Sequence, residues 1–153
     1  MNQSQIVEYI ATSFPGVDVV VGSSEHGDPE VAWGDTFVSY DPHRDLAPNR
    51  RMPFCTIVTK DYPGWDETSN LNRPDIYRVN LGLSRDTYRS VFPDEASYDF
   101  TALDLLMPHP VYGCQHWACV LNPSDPTFER LKPLLQDAYN LAVKRLEGHA
   151  ELS

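Results

Sequence analysis

The sequence predicts an α+β fold, one domain over residues 1–153 with a sheet of about five strands between N-terminal and C-terminal helices. Three observations carry this. Apolar residues recur at helical spacing near both ends, five short runs between them have strand character, and Pro- and Gly-rich stretches separate those runs. At 153 residues, 41% of them hydrophobic, the chain can build one core and is short for two.

Ile6, Val7, Ile10, Ala11 and Phe14 share one helical face, with Asn2 or Ser4 as N-cap and Pro15-Gly16 as the stop. Val17 to Val21 reads as a strand, and Gly22 to Pro29, which includes the lone loop residue His26, reads as mobile turn chemistry. Asp35 to Tyr40 is a second strand, with Phe37 on one face and Val38 and Tyr40 on the other. Phe54 to Thr59 is apolar or β-branched on both faces, the pattern of a covered central strand, and it opens through Lys60 and Asp61 into a Tyr62-Pro63-Gly64-Trp65 turn. Ile76 to Leu83 alternates most cleanly: Tyr77, Val79, Leu81 and Leu83 face one way, Arg78 and Asn80 the other.

Ser84 caps a short helix over Arg85 to Phe92. Thr101 to Met107 reads as another helical turn stopped by Pro108, and His109 is held extended between two prolines. Gln115 to Leu121 is the last strand. Asp125 as N-cap with Pro126 behind it opens the terminal helix, which Pro133 divides and Gly148 stops, with Leu131, Leu134, Leu135, Ala138, Ala142 and Leu146 on its apolar face.

The formal net charge of -10 argues against general affinity for nucleic acid or anionic membranes. Residues 1–43 carry seven acids and no Lys or Arg, so an acidic partner-binding or DNA-mimic surface is one alternative, provided those acids form a continuous face. Residues 44–89 are locally basic, and Arg44, Arg50, Arg51, Lys60, Arg73 and Arg78 could form a pocket for an acidic small molecule. Three cysteines, the lack of a signal-peptide pattern and the lack of a long apolar run predict a soluble cytoplasmic protein.

Cys114, His116 and Cys119 invite a metal reading. On one strand, however, Cys119 would point away from the other two, and Cys114 and Cys119 would lie roughly 16 Å apart, beyond disulfide reach. Zinc needs four ligands and no second cluster supplies them, so neither a metal nor a cofactor is expected. An enzyme reading would make Cys114 a nucleophile activated by His109 or His116, with Cys55 a buried hydrophobe. The leading expectation is a non-catalytic small-molecule-binding or accessory protein whose polar pocket lies on one sheet face. Lys60, Asp61, Arg78, Asn80, His109, Tyr112 and His116 are its candidate lining, and Trp65 or Trp117 its apolar wall.

Several segments together resemble an uncharacterised bacterial family, domain of unknown function 6194: Tyr40-Asp-Pro42, Pro53-Phe54, Thr56-Ile-Val-Thr-Lys-Asp-Tyr-Pro-Gly64, Phe100-Thr-Ala-Leu-Asp104, Pro108-His-Pro-Val-Tyr112 and Leu121-Asn-Pro123. The resemblance spans nearly the whole chain and brings no activity with it. More distantly, His116-Trp117, the strand that follows, and Ala138-Tyr139, Leu141, Val143-Lys144 and Leu146 are similar to the MmcQ/YjbR-like proteins, over roughly the last quarter. That likeness implies an antiparallel sheet between terminal helices. DNA binding, proposed for some of those relatives, is not carried over to so acidic a chain, whereas a ligand-sequestering role survives as an analogy of fold.

Overall fold

Six antiparallel strands form one sheet, and the computed structural model describes it with its helices over residues 1–47 and 50–152. In chain order the elements are α1 (Gln3–Ser13), β1 (Val17–Val21), β2 (Thr36–Tyr40), β3 (Cys55–Val58), β4 (Arg78–Gly82), α2 (Arg85–Val91), β5 (Met107–Pro108), β6 (Trp117–Leu121) and α3 (Asp125–Leu152). The spatial order is β1-β2-β3-β4-β6-β5. The α+β class and the terminal helices are those expected, with one more strand than the sequence suggests.

Asn2 caps α1 through a reciprocal box: its side chain accepts the Gln5 N–H, while the Gln5 side chain accepts that of Asn2, both at 2.9 Å. The helix buries Ile6 and Ile10 against the sheet. From the sheet, Val38, Cys55, Ile57, Val79, Leu81, Ala118 and Val120 meet them, and α3 contributes Phe128, Leu131, Leu135 and Ala138. Both terminal helices therefore cover the same face. The opposite face carries Val58, Cys119 and Leu121, which pack with Leu71 and Met107 under irregular chain instead of a helix.

Residues 101–107 are not a helical turn. Leu103 bridges Leu121, and Met107–Pro108 forms the edge strand against Cys119 and Ala118. The short apolar cluster fits either period, and the exposed edge of β6 selects the extended one; Pro108 is tolerated because edge positions need no further ladder bond. The last strand starts at Trp117, later than expected. Gly113–Gln115 is a 3₁₀ turn, and His116, at φ 70°, reverses the chain into β6.

Two helix signals also give way to tertiary packing. Pro133 lies inside a continuous α3 with its ring exposed, and Gly148 stays helical, because the apolar stripe from Leu131 to Ala138 is buried whether or not one backbone bond is lost. Ser124, not Asp125, stands before the first helical residue, its hydroxyl 3.4 Å from the Thr127 N–H and its own N–H donated to Asp104. The 22–29 connection contains a 3₁₀ turn at Ser24–His26; the side chain of His26 is outside what the structure describes.

Asp137 joins α3 to the start of α2. Its carboxylate accepts the Ser84 N–H (2.8 Å), the Ser84 hydroxyl (2.9 Å) and the Thr87 hydroxyl (2.7 Å). Asp137→Ala removes three acceptor contacts and is expected to lower stability by about 2 kcal/mol, read as a shift in the urea midpoint at unchanged slope.

Candidate functional site

The second face of the sheet is built around a charge. Arg78 projects from β4 away from the helices and is fully buried. Its Nε donates to Asn80 Oδ1 (2.8 Å), and its Nη1 donates to Asp66 Oδ1 (3.0 Å) and Ser69 Oγ (2.9 Å). Nη2 completes a two-pronged pair with Asp66 Oδ2. Asn80 in turn donates to Thr56 Oγ1 on β3 at 2.9 Å. Register sets this up, since Phe37, Thr56, Asn80 and Cys119 stand opposite one another along one rung of the sheet.

His109 closes the network. Its Nδ1 accepts the backbone N–H groups of Val111 and Tyr112, both at 3.0 Å, which assigns the ring proton to Nε2. That nitrogen lies 3.1 Å from Arg78 Nη2, a fellow donor to which it makes no hydrogen bond in this tautomer, and 3.7 Å from Asp66 Oδ2, so it packs beside the ion pair. Burial, reinforced by the Arg78 charge and opposed by Asp66, lowers the imidazole to about 3. It is a neutral ring at any ordinary pH.

A neighbouring group holds the strand ends. Buried Asp35 accepts the Thr59 N–H (2.9 Å) and hydroxyl (2.8 Å), the Tyr62 hydroxyl (2.6 Å) and Lys60 Nζ (3.3 Å). Burial, and then the hydrogen bond to Asp35, push the Tyr62 phenol upward. Asp61 accepts the Leu71 N–H at 2.8 Å and so folds the 61–75 loop onto the sheet.

Between the sheet and these loops lies a cavity of about 680 Å³. Its floor is Phe37, Thr56, Val58 and Asn80, and Asp66 and His109 form one side. Pro29, Val31, Met52, Pro53, Tyr62, Trp65, Tyr112 and Trp117 make the rest largely apolar and aromatic, with Arg51 and Gln115 between them. Trp117 can lie there because Gly82 has no side chain: a Cβ would stand 2.9 Å from the indole. Trp65 and Met52 are exposed around the cavity.

Of the residues expected to line a pocket, Asn80, His109 and Tyr112 come together here, and Trp65 and Trp117 both serve as walls. Arg78 sits beneath them as a support. Lys60 is drawn instead to Asp35 and the Trp33 carbonyl, and Asp61 is occupied by its loop. His116 and Cys114 line a separate cavity of about 530 Å³ with Tyr88, Phe92 and Tyr98. The one unprotonated nitrogen of His109, Nδ1, is taken by two backbone donors, so His109 is not placed to activate Cys114. Since Cys114 and His116 occupy a turn, the strand alternation applied to them does not hold; among the described residues no three His, Cys, Asp or Glu side chains are placed to hold an ion.

The expected basic pocket does not assemble. Arg44 approaches Asp18 at 3.9 Å, Arg73 donates to the carbonyls of Ser69, Asn70 and Thr101, and Arg51 alone of the six lines the large cavity. The acids of residues 1–43 do not form an unbroken face either, because Asp35 and Asp41 are buried. Sequence reasoning missed Asp66 and Ser69; their one legible signal is the buried Arg78, which needs partners from somewhere.

A model of a family of unknown function, DUF6194, matches residues 1–151, and the chain belongs to that family. No curated protein and no solved structure matches it. Among the described residues no helix is long and apolar enough to cross a membrane.

The His109 geometry has a pH signature. An unfolded His titrates near 6.5, so from there down to about pH 3 the unfolded chain binds a proton that the folded chain refuses. The contribution of this residue to stability is complete above pH 6.5 and is lost as pH falls, at up to about 1.4 kcal/mol per pH unit. Nitrogen-detected NMR should show an Nε2-protonated, neutral His109 still untitrated at pH 4.5; a ring titrating near 6.5 contradicts the assignment.

Proposed function

We propose that this member of DUF6194 is a non-catalytic, cytoplasmic small-molecule-binding protein whose ligand occupies the cavity between β2, β3 and β4 and the covering loops. One observation carries the reading: a space of about 680 Å³, within the size range of sites for drug-sized ligands, has mostly apolar walls and a few fixed polar groups. Those groups are held in place. Thr56, Asn80, Asp66 and His109 are each fastened to a neighbour, so the floor is preorganised and little ordering is required when a ligand arrives.

The non-catalytic part rests on the same bonds, since Asp66 is bound to Arg78 and the unprotonated Nδ1 of His109 is taken by two backbone N–H groups, which leaves neither free to act as a base. Three unpaired thiols fit a reducing compartment, and the net charge of -10 fits a protein without nucleic acid or membrane partners. The likeness to MmcQ/YjbR-like proteins agrees with a sequestering role as an analogy of fold.

A thermal-shift screen of aromatic metabolites and antibiotics tests the reading. A compound present at about 100 times its Kd adds about 2.7 kcal/mol and is expected to raise Tm by roughly 5 °C or more. Binding should quench tryptophan fluorescence and weaken in Trp117→Ala and Gly82→Ala. Hits that bind undiminished in both variants, or that protect Cys114 from alkylation instead, would place the ligand elsewhere.

A further inference from the structure

We propose that the ligand is an aromatic acid with a single anionic group, which docks on Arg51 while its ring system lies among Phe37, Trp65, Tyr112 and Trp117. This rests on the cavity reading above and adds the ligand's charge and shape. The charges around the cavity are balanced with one exception. Arg78 is neutralised by a two-pronged bond to Asp66, and Lys60 is neutralised by Asp35 outside the cavity. His109 is an uncharged ring, with Nδ1 held by two backbone N–H groups. Among the described residues that line the cavity, this leaves Arg51 as the cation with no carboxylate in ion-pair range.

Arg51 also carries the sharper signal. Its Nε is buried and has no hydrogen-bond partner among the described residues. A buried N–H left unmade is costly, more so on a charged group, and such groups in folded proteins ordinarily have a partner. A guanidinium presents its donors in a fixed planar fork that matches a carboxylate, and the bond is stronger where aromatic walls exclude water. Nε itself has no surface open to the cavity, so a ligand meets the guanidinium only where the rest of Arg51 lines it, and a flat anion is the group that matches the fork there.

The remaining groups limit that anion. The cavity has one unpaired positive charge, and the Asp66 carboxylate that also lines it is paired with Arg78. A second anionic group would find no second unpaired cation among the described lining residues and would lose its hydration without compensation, so it is disfavoured. A cationic ligand would find Asp66 already shared with Arg78 and would face the unpaired guanidinium as well. The aromatic character follows from the walls: Trp65 and Tyr112 meet edge to face with centroids 6.4 Å apart, and Trp117 lies over Gly82, so the cavity offers ring faces and edges to a planar guest.

Three isosteric probes decide between charges: 2-naphthoate, neutral 2-naphthamide and cationic 2-naphthylmethylamine, each titrated by calorimetry at pH 7.5 against wild type, Arg51→Met and Arg51→Lys. The expected result is that naphthoate binds wild type about tenfold more tightly than naphthamide, as one charge-assisted pair implies, and that the amine is weakest. Arg51→Met should remove the preference while leaving naphthamide affinity within about twofold, and Arg51→Lys should restore part of it. Equal affinity for acid and amide in wild type, or a preference for the amine, overturns the assignment of charge and leaves the cavity reading standing. Failure of all three to bind wild type sinks both.

Discussion

A guanidinium with no exposure to water is the constraint from which the second half of this structure follows. Leaving a charge of that kind without partners inside a protein costs several kcal/mol, so chain must be brought to it. Asp66 and Ser69 come from the loop after β3, Asn80 from the same strand two residues on, and His109 from the segment before β6. The contacts of Asp66, Ser69 and His109 each hold a piece of irregular backbone over the sheet. The Tyr62–Asp66 bridge and the bond from Leu71 N–H to Asp61 then finish the covering loop.

That mode of covering explains why a cavity exists. On the first face, α1 and α3 present continuous apolar stripes that fill the space against the sheet. On the second, loops are positioned by point contacts instead of continuous packing, and β2 and β3 carry Phe37 and Thr56 into a region that no helix covers. The polar network both fixes the height of the roof above the floor and neutralises its own charges. The Arg51 guanidinium stands outside that network.

The fold was largely legible wherever one periodicity ran long enough. Alternation in Ile76 to Leu83 separated Tyr77, Val79 and Leu81 from Arg78 and Asn80 correctly, and the spacing of Ile6, Ile10 and Phe14 with the Asn2 cap defined α1. What alternation cannot show is what lies over a face. Arg78 and Asn80 read equally well as solvent-facing, and their burial depends on Asp66, whose approach is a tertiary event with no local mark. Residues 101–107 failed for a related reason: an apolar cluster of that length fits helix and strand alike until the free edge of β6 is known. His116 reads as strand in the sequence because its left-handed turn has no glycine to announce it. His109 and Tyr112 could be named as lining from their positions outside the strands; Lys60 could not be excluded, because Asp35, which captures it, is distant in sequence.

If the Arg78–Asp66 pair holds the roof to the sheet, the two side chains are energetically coupled, and a double-mutant cycle measures that coupling. Urea unfolding of wild type, Arg78→Met, Asp66→Asn and the double variant yields the coupling energy free of either side chain's separate effects. Each single change strands a buried partner and should cost about 3–5 kcal/mol, while the double change should cost less than their sum by about 2 kcal/mol or more. Additive losses, agreeing within about 0.5 kcal/mol, would mean that the two groups do not depend on one another and would contradict the account.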